Sequence, residues 1–178
     1  MIGKHLLKKY GRVVLLFAIL FLLAGCQESS TRLRVGQWAQ VDNLYVRVKE
    51  SKTAPVVTIF DQGSYRIFEP QKEDSQFALF WVDLSNYSTG LIILQVVSDK
   101  VNVKDSDGNE YYPVQLSEGK SLSDTEQGNR YLSQPIFRES VTLQRGYEVS
   151  GWLPFEVPKG TKLAEFEWEE IGHASFKL

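Results

Sequence analysis

The chain is poor in the side chains that carry most enzymatic chemistry. Its 178 residues include one cysteine, one methionine and two histidines. A lone cysteine, Cys26, excludes an intrachain disulfide. His5 lies in an N-terminal stretch that reads as removed, which leaves His173. A Ser-His-Asp or Cys-His device would have to be built on His173. That residue sits beside Gly172, five positions from the last residue, and is expected to be a surface histidine. Transition-metal sites draw on several His, Cys or Met ligands. With Met1 the only methionine, no metal and no cofactor is expected. Apolar runs are short as well. The longest, Val13 to Ala24, falls below the roughly 20 residues that a spanning helix needs.

What is there begins at the N-terminus. Lys4, Lys8, Lys9 and Arg12 precede the apolar run, which is the pattern of a targeting segment. The run ends in Leu23-Ala24-Gly25-Cys26. These four residues resemble the lipobox of bacterial lipoproteins. The resemblance implies cleavage before Cys26 and acylation of its thiol by chains such as palmitate, so that Cys26 holds the protein to a membrane. Residues 1–25 are then a signal peptide, 26–32 a lipidated tether, and 33–178 the folded part. Four of the 20 basic residues and none of the 22 acidic ones lie in 1–25. The mature chain of 153 residues therefore carries 16 basic against 22 acidic groups, a net charge of −6. Such a domain repels phosphate backbones, so nucleic acid is not an expected partner.

The remainder has the two-residue period of β-strands. Leu44 to Val48 alternates, and Val56 to Phe60 is a second short run. Phe77 to Leu84 is apolar almost throughout, as in a strand buried on both sides. Val101 to Lys104 and Glu110 to Val114 flank Asp107-Gly108, a hairpin signal. Val141 and Leu143 alternate with polar residues, and Tyr147 to Phe155 follows after Gly146. Pro158-Lys159-Gly160 ends that strand. Ala164, Phe166 and Trp168 then alternate with Glu165, Glu167 and Glu169, and Phe176 and Leu178 close a last strand. Eight or nine short strands with no helical period predict an antiparallel β-sandwich. Gln115 to Ser140 is a polar excursion, longer than a hairpin needs. Ser123 and Glu126 in it have capping-box spacing.

The order of these segments is similar to the telokin-like, immunoglobulin-type domains of many bacterial surface lipoproteins. The strand ending in Ser85-Asn86, the Asp107-Gly108 hairpin ending in Tyr111-Tyr112, and Gly151-Trp152-Leu153-Pro154-Phe155-Glu156-Val157-Pro158 carry the likeness. It spans about residues 35 to 170 and implies an immunoglobulin-like fold outside a membrane, with no shared reaction. The excursion departs from the pattern. So does Pro154, which predicts an edge position or a bulge.

Four arrangements offer chemistry. Asp105, Asp107 and Asn109 have the spacing of a calcium loop, but Gly108 stands where a hairpin turn wants it. Glu165, Glu167 and Glu169 form a carboxylate row that reads as a solvated face and, alternatively, as the acid pair of an envelope glycan hydrolase. Trp81 and Trp168 read as core. Trp38 and Trp152 are possible ligand contacts, able to stack on a sugar ring if exposed together. Asn86-Tyr87-Ser88 matches a glycosylation triplet by chance. The reading that follows is a non-catalytic binding or assembly module of a bacterial cell envelope, lipid-anchored at Cys26, with an envelope protein as partner. Gln27 after the cysteine, rather than aspartate, points to the periplasmic side of an outer membrane where two membranes exist. With one membrane, the expected place is the outer face of the cytoplasmic membrane.

Overall fold

The computed structural model describes residues 32–61, 63–87, 90–117, 119–121 and 135–178. The signal segment, Cys26, most of the tether and the Ser123–Glu126 spacing lie outside the described residues. No helix occurs among the described residues, and Arg32–Leu178 forms one compact unit. The chain is an all-β sandwich, as its alternation predicts.

The central layer is a four-stranded sheet. It comprises β2 (Trp38–Val41), β3 (Leu44–Ala54), β6 (Ser75–Ser85) and β12 (Glu148–Pro158), in the order β12-β6-β3-β2. Three of these strands run eleven residues each. A bulge between Val48 and Glu50 lets β3 follow β6 along its whole length. Pro154 sits on the edge strand β12, as expected of a residue without an N–H.

The second layer is a five-stranded sheet. It orders β1 (Leu33–Arg34), β14 (Ala174–Lys177), β13 (Leu163–Trp168), β8 (Val101–Asp105) and β9 (Glu110–Tyr111). β1 runs parallel to β14, and the other pairs are antiparallel. The β8–β9 turn is the one that Asp107-Gly108 predicts. Gly108 has φ +86°, a conformation that side chains with a Cβ disfavour. A two-stranded ribbon of β7 (Ile92–Gln95) and β11 (Ser140–Leu143) completes the cover of this side.

Side chains at alternate positions along β6 enter two separate apolar clusters. Ala78, Phe80, Val82 and Leu84 face inward, packing with Leu153, Phe155, Phe166, Trp168 and Phe176. Phe77 and Leu79 face outward and are buried as well. Phe80, Phe155 and Phe166 meet at ring distances of 5.4–6.1 Å, within the range of aromatic pairs. Trp168 is fully buried, in line with its sequence pattern.

The outward cluster needs its own cover. That comes from β4 (Val57–Asp61), β5 (Ser64–Phe68) and β10 (Lys120–Ser121), a three-stranded ribbon ordered β10-β5-β4. Val57, Ile59 and Phe68 point down onto Phe77, Leu79 and Trp152. Part of the polar excursion belongs to this layer. β10 lies within it, and Ile136 bridges to Trp152. Gly119 lies flat on the Phe68 ring, where a Cβ would come within 2.7 Å of Cζ. Val114 N–H also donates to Pro154 O at 2.8 Å, so the edge of β12 is covered rather than open.

Candidate functional site

The ribbon covers only part of the outer face of the central sheet. Beside it runs a belt of tryptophans and charges, set by strand register. Trp38 pairs with Arg47, Arg47 with Asp83, and Asp83 with Ser150, which makes one rung across four strands. Trp81 lies two residues from Asp83 on the same face and pairs with Trp152. Arg47 Nε donates to Asp83 Oδ2 at 2.7 Å, and its Nη2 lies 2.6 Å from the same oxygen. Trp81 Nε1 donates to Oδ1 at 2.9 Å. Both oxygens of Asp83 are thus engaged, which suits a carboxylate whose side chain is 3% exposed. The Arg47 guanidinium also stacks 4.3 Å from the Trp38 ring, and Lys52 Nζ stands 4.1 Å from that of Trp152.

This geometry alters the expectation for the tryptophans. Trp152 is only 6% exposed and lies in the outward cluster, edge-on to Trp81 at 5.3 Å. Trp38 is half-buried under Arg47. The two occupy opposite edges of the sheet, separated by three strand spacings, about 14 Å, and offset by two residues along the strands. They do not form a paired sugar platform. Trp81, expected in the core, is half-buried at the boundary of that cluster.

Two further places were legible as chemistry. Asp105 organises its own turn. It accepts from the backbone N–H groups of Asp107 and Asn109, from Asn109 Nδ2 and from Tyr111 Oη, all at 2.9 Å. These donors, Asn109 first, hold its carboxyl down at about 2. Its oxygens are spent on the hairpin, so the calcium spacing is turn chemistry. The carboxylate row is equally occupied. Glu165 meets Arg32 and the Ser175 hydroxyl, Glu167 meets Lys104 at 2.7 Å, and Glu169 meets His173 at 3.4 Å. The hydrogen bond from Lys104 to Glu167 raises the lysine pKa. His173 is exposed, as expected.

A cleft of about 440 Å³ opens between the ribbon and the excursion, lined by Ile59, Asp61, Arg66, Phe68, Leu116 and Arg138. Arg138 bonds Asp61 across it at 2.7 Å. Sequence patterns missed this cleft and the Arg47–Asp83 pair. The only trace of the pair is an aspartate inside the otherwise apolar run of β6. Asn86 is wholly buried, and its Nδ2 donates to Gly90 O and Leu143 O, so the asparagine of the glycosylation triplet serves the fold.

No family model matches the chain, and no curated protein matches it. Solved structures do. The yjhA protein of Bacillus subtilis superposes with a TM-score of 0.52 at 14% identity, over 82% of this chain and 99% of that one. A secreted protein of Mycobacterium tuberculosis gives 0.52 at 13% identity, over 85% and 100%. An uncharacterized β-sandwich protein of Clostridium difficile gives 0.51 at 10% identity, over 86% and 98%. The chain shares its β-sandwich fold with these bacterial proteins.

Proposed function

We propose that the chain is a lipid-anchored binding or assembly module of a bacterial cell envelope, acting by contact rather than catalysis. The observation that carries this reading is Cys26 in the setting Leu23-Ala24-Gly25-Cys26, directly after a basic and then apolar segment. The sandwich supports it, because a packed scaffold suits a protein that presents a surface. The secreted neighbour of similar fold fits a place outside the cytoplasm.

In this reading two or three acyl chains on Cys26 hold the domain durably, where one chain would bind only marginally. The Trp38–Arg47–Asp83–Trp81 belt is the surface offered to an envelope protein. It joins aromatic faces to a fixed guanidinium, a combination enriched where proteins meet. Replacing Cys26 by serine tests the anchor. The variant is expected to lose incorporation of labelled palmitate and to leave the membrane fraction. Unchanged labelling and unchanged sedimentation would end the lipoprotein reading.

A further inference from the structure

The two ends of the sandwich differ in polarity. One end is made of the Asp105–Asn109 turn and the Pro158–Thr161 turn. It is polar: Lys159 bonds the carbonyls of Glu73 and Asp74, and Ser106 N–H donates to Lys162 O. The other end holds the Asp42–Asn43 turn, the Asn86 loop and the Gly146 turn. Here Tyr87, Leu91 and Tyr147 are each 58–61% exposed, and Ile93 on β7 is 61% exposed. Tyr45 stands edge-on to Tyr87 at 5.3 Å.

The described residues of this tip are tied together by hydrogen bonds. Asn86 is its hub. Its N–H donates to Tyr147 O, its carbonyl accepts from Gly146 N–H at 2.6 Å, and its amide ties down Gly90 and Leu143. Fixed exposed apolar side chains in such a cluster mark a surface that meets something. Tyrosine with leucine and isoleucine is the composition of a membrane–water interface, where an aromatic body enters and its hydroxyl stays wet.

The direction of β1 gives the side from which the chain enters the sandwich. β1 runs parallel to β14, with Leu33 opposite Phe176. The chain preceding Leu33 therefore points toward the start of β14, the Gly172 side. Gly172 packs against Val41 and Asp42 at the apolar end. From the level of Phe176 to Gly172 is four residues, about 13 Å along a strand. Seven peptide steps separate Cys26 from Leu33 and span at most about 24 Å. That length exceeds the distance to this end.

We propose that the Tyr87–Leu91–Tyr147 tip is a membrane-docking surface, seated in the headgroup region of the phospholipid bilayer that holds Cys26. The proposal rests on the lipid reading of Cys26. It fixes the orientation of the domain, with the polar turns at Lys159 pointing away from the membrane. The charges at this end are mixed: Arg145, Lys100 and His173 are exposed there, as are Asp42, Asp99, Glu148 and Glu169. Apolar insertion rather than attraction to anionic lipid is then the force that seats it.

The test uses lipidated protein on phosphatidylethanolamine–phosphatidylglycerol vesicles, with a nitroxide label at Leu91→Cys or at Lys159→Cys. The Leu91 label is expected to collide more with oxygen and several-fold less with an aqueous nickel chelate than the Lys159 label. Flotation with the vesicles is read in the same samples. Flotation with both labels equally open to the chelate overturns the docking surface and leaves the anchor standing. Loss of flotation together with an unmodified Cys26 overturns both. Spin–spin broadening at Leu91 without oxygen access assigns the tip to a second copy of the chain and overturns the lipid assignment. A Tyr87→Ser/Leu91→Ser/Tyr147→Ser variant should keep flotation, because these side chains are exposed, and should lose the difference between the two ends.

Discussion

Leu153 and Leu79 lie on neighbouring strands of the central sheet, and both are wholly shielded from solvent. They point to opposite sides. Leu153 packs inward, between the four-stranded sheet and the layer of β13, β8 and β14. Leu79 packs outward, beneath the β4–β5 ribbon and the chain around Leu116 and Ile136. The inward cluster is closed by continuous strands that pair on both sides. The outward cluster is closed by a short ribbon and by loops. Equal burial on the two sides thus comes from covers of unequal continuity. A stiff cover holds a cavity open, whereas a loose one settles into it.

Leucine-to-alanine exchange at the two positions separates the covers by the same chemistry. Leu153→Ala is expected to cost about 4–5 kcal/mol in equilibrium urea unfolding, near the top of the range for such changes. Leu79→Ala is expected to cost about 2–3 kcal/mol, because the ribbon can close part of the gap. Equal costs would show that the ribbon is as rigid as the second sheet.

A smaller effect is expected at the margin of the outward cluster. Asp83→Ala removes the acceptor shared by Arg47 and the Trp81 N–H. Arg47 is 28% exposed and recovers water, so the loss should be about 1–3 kcal/mol rather than that of a fully buried charge. Tryptophan fluorescence of the variant should also shift as Trp81 loses its bond. An unchanged spectrum with unchanged stability would make the pair ornamental.

The mildest expected effect lies in the turn beyond the inward cluster. The Asp105 carboxyl titrates at about 2 when folded, against an ordinary 3.8. The folded state therefore binds this proton less readily than the unfolded chain, and stability from the group is complete above about pH 4–5. It fades as the pH falls through 4 toward 2. Asp105→Asn should lower stability at neutral pH and converge with the parent only below about pH 2. Parallel curves over that span would show that Asp105 does not couple the turn to protons.

Much of this architecture could be read in the sequence. Phe77 to Leu84 announced a strand buried on both sides, because its apolar run leaves no polar face. The Asp107-Gly108 turn was legible because positive φ demands glycine. Pro154 signalled an edge or a bulge through its missing N–H, and the edge is what the fold has. The outward cover was not legible. β5 reads Ser-Tyr-Arg-Ile-Phe, and only its burial of Phe68 against Phe77 shows what it does. The possible contacts Trp38 and Trp152 fared differently from one another for the same reason. Alternation assigns a side chain to a face, but it does not say how far a second layer extends over that face. Arg47 and Asp83 are 36 residues apart, and the bulge after Val48 is needed before the two strands can run on together.

The two-residue strand β1 has a mechanical meaning as well. In a chain anchored as proposed, tension from the N-terminal side enters the domain there. Pull along β1 acts across its hydrogen bonds to β14, loading them together in shear rather than peeling them one by one. Just beyond, Gly36 N–H holds Val48 O at 2.7 Å, so the load passes into β3 and the longest sheet strands. A drag force on an anchored domain would thus be spread over the sandwich, not borne by one contact.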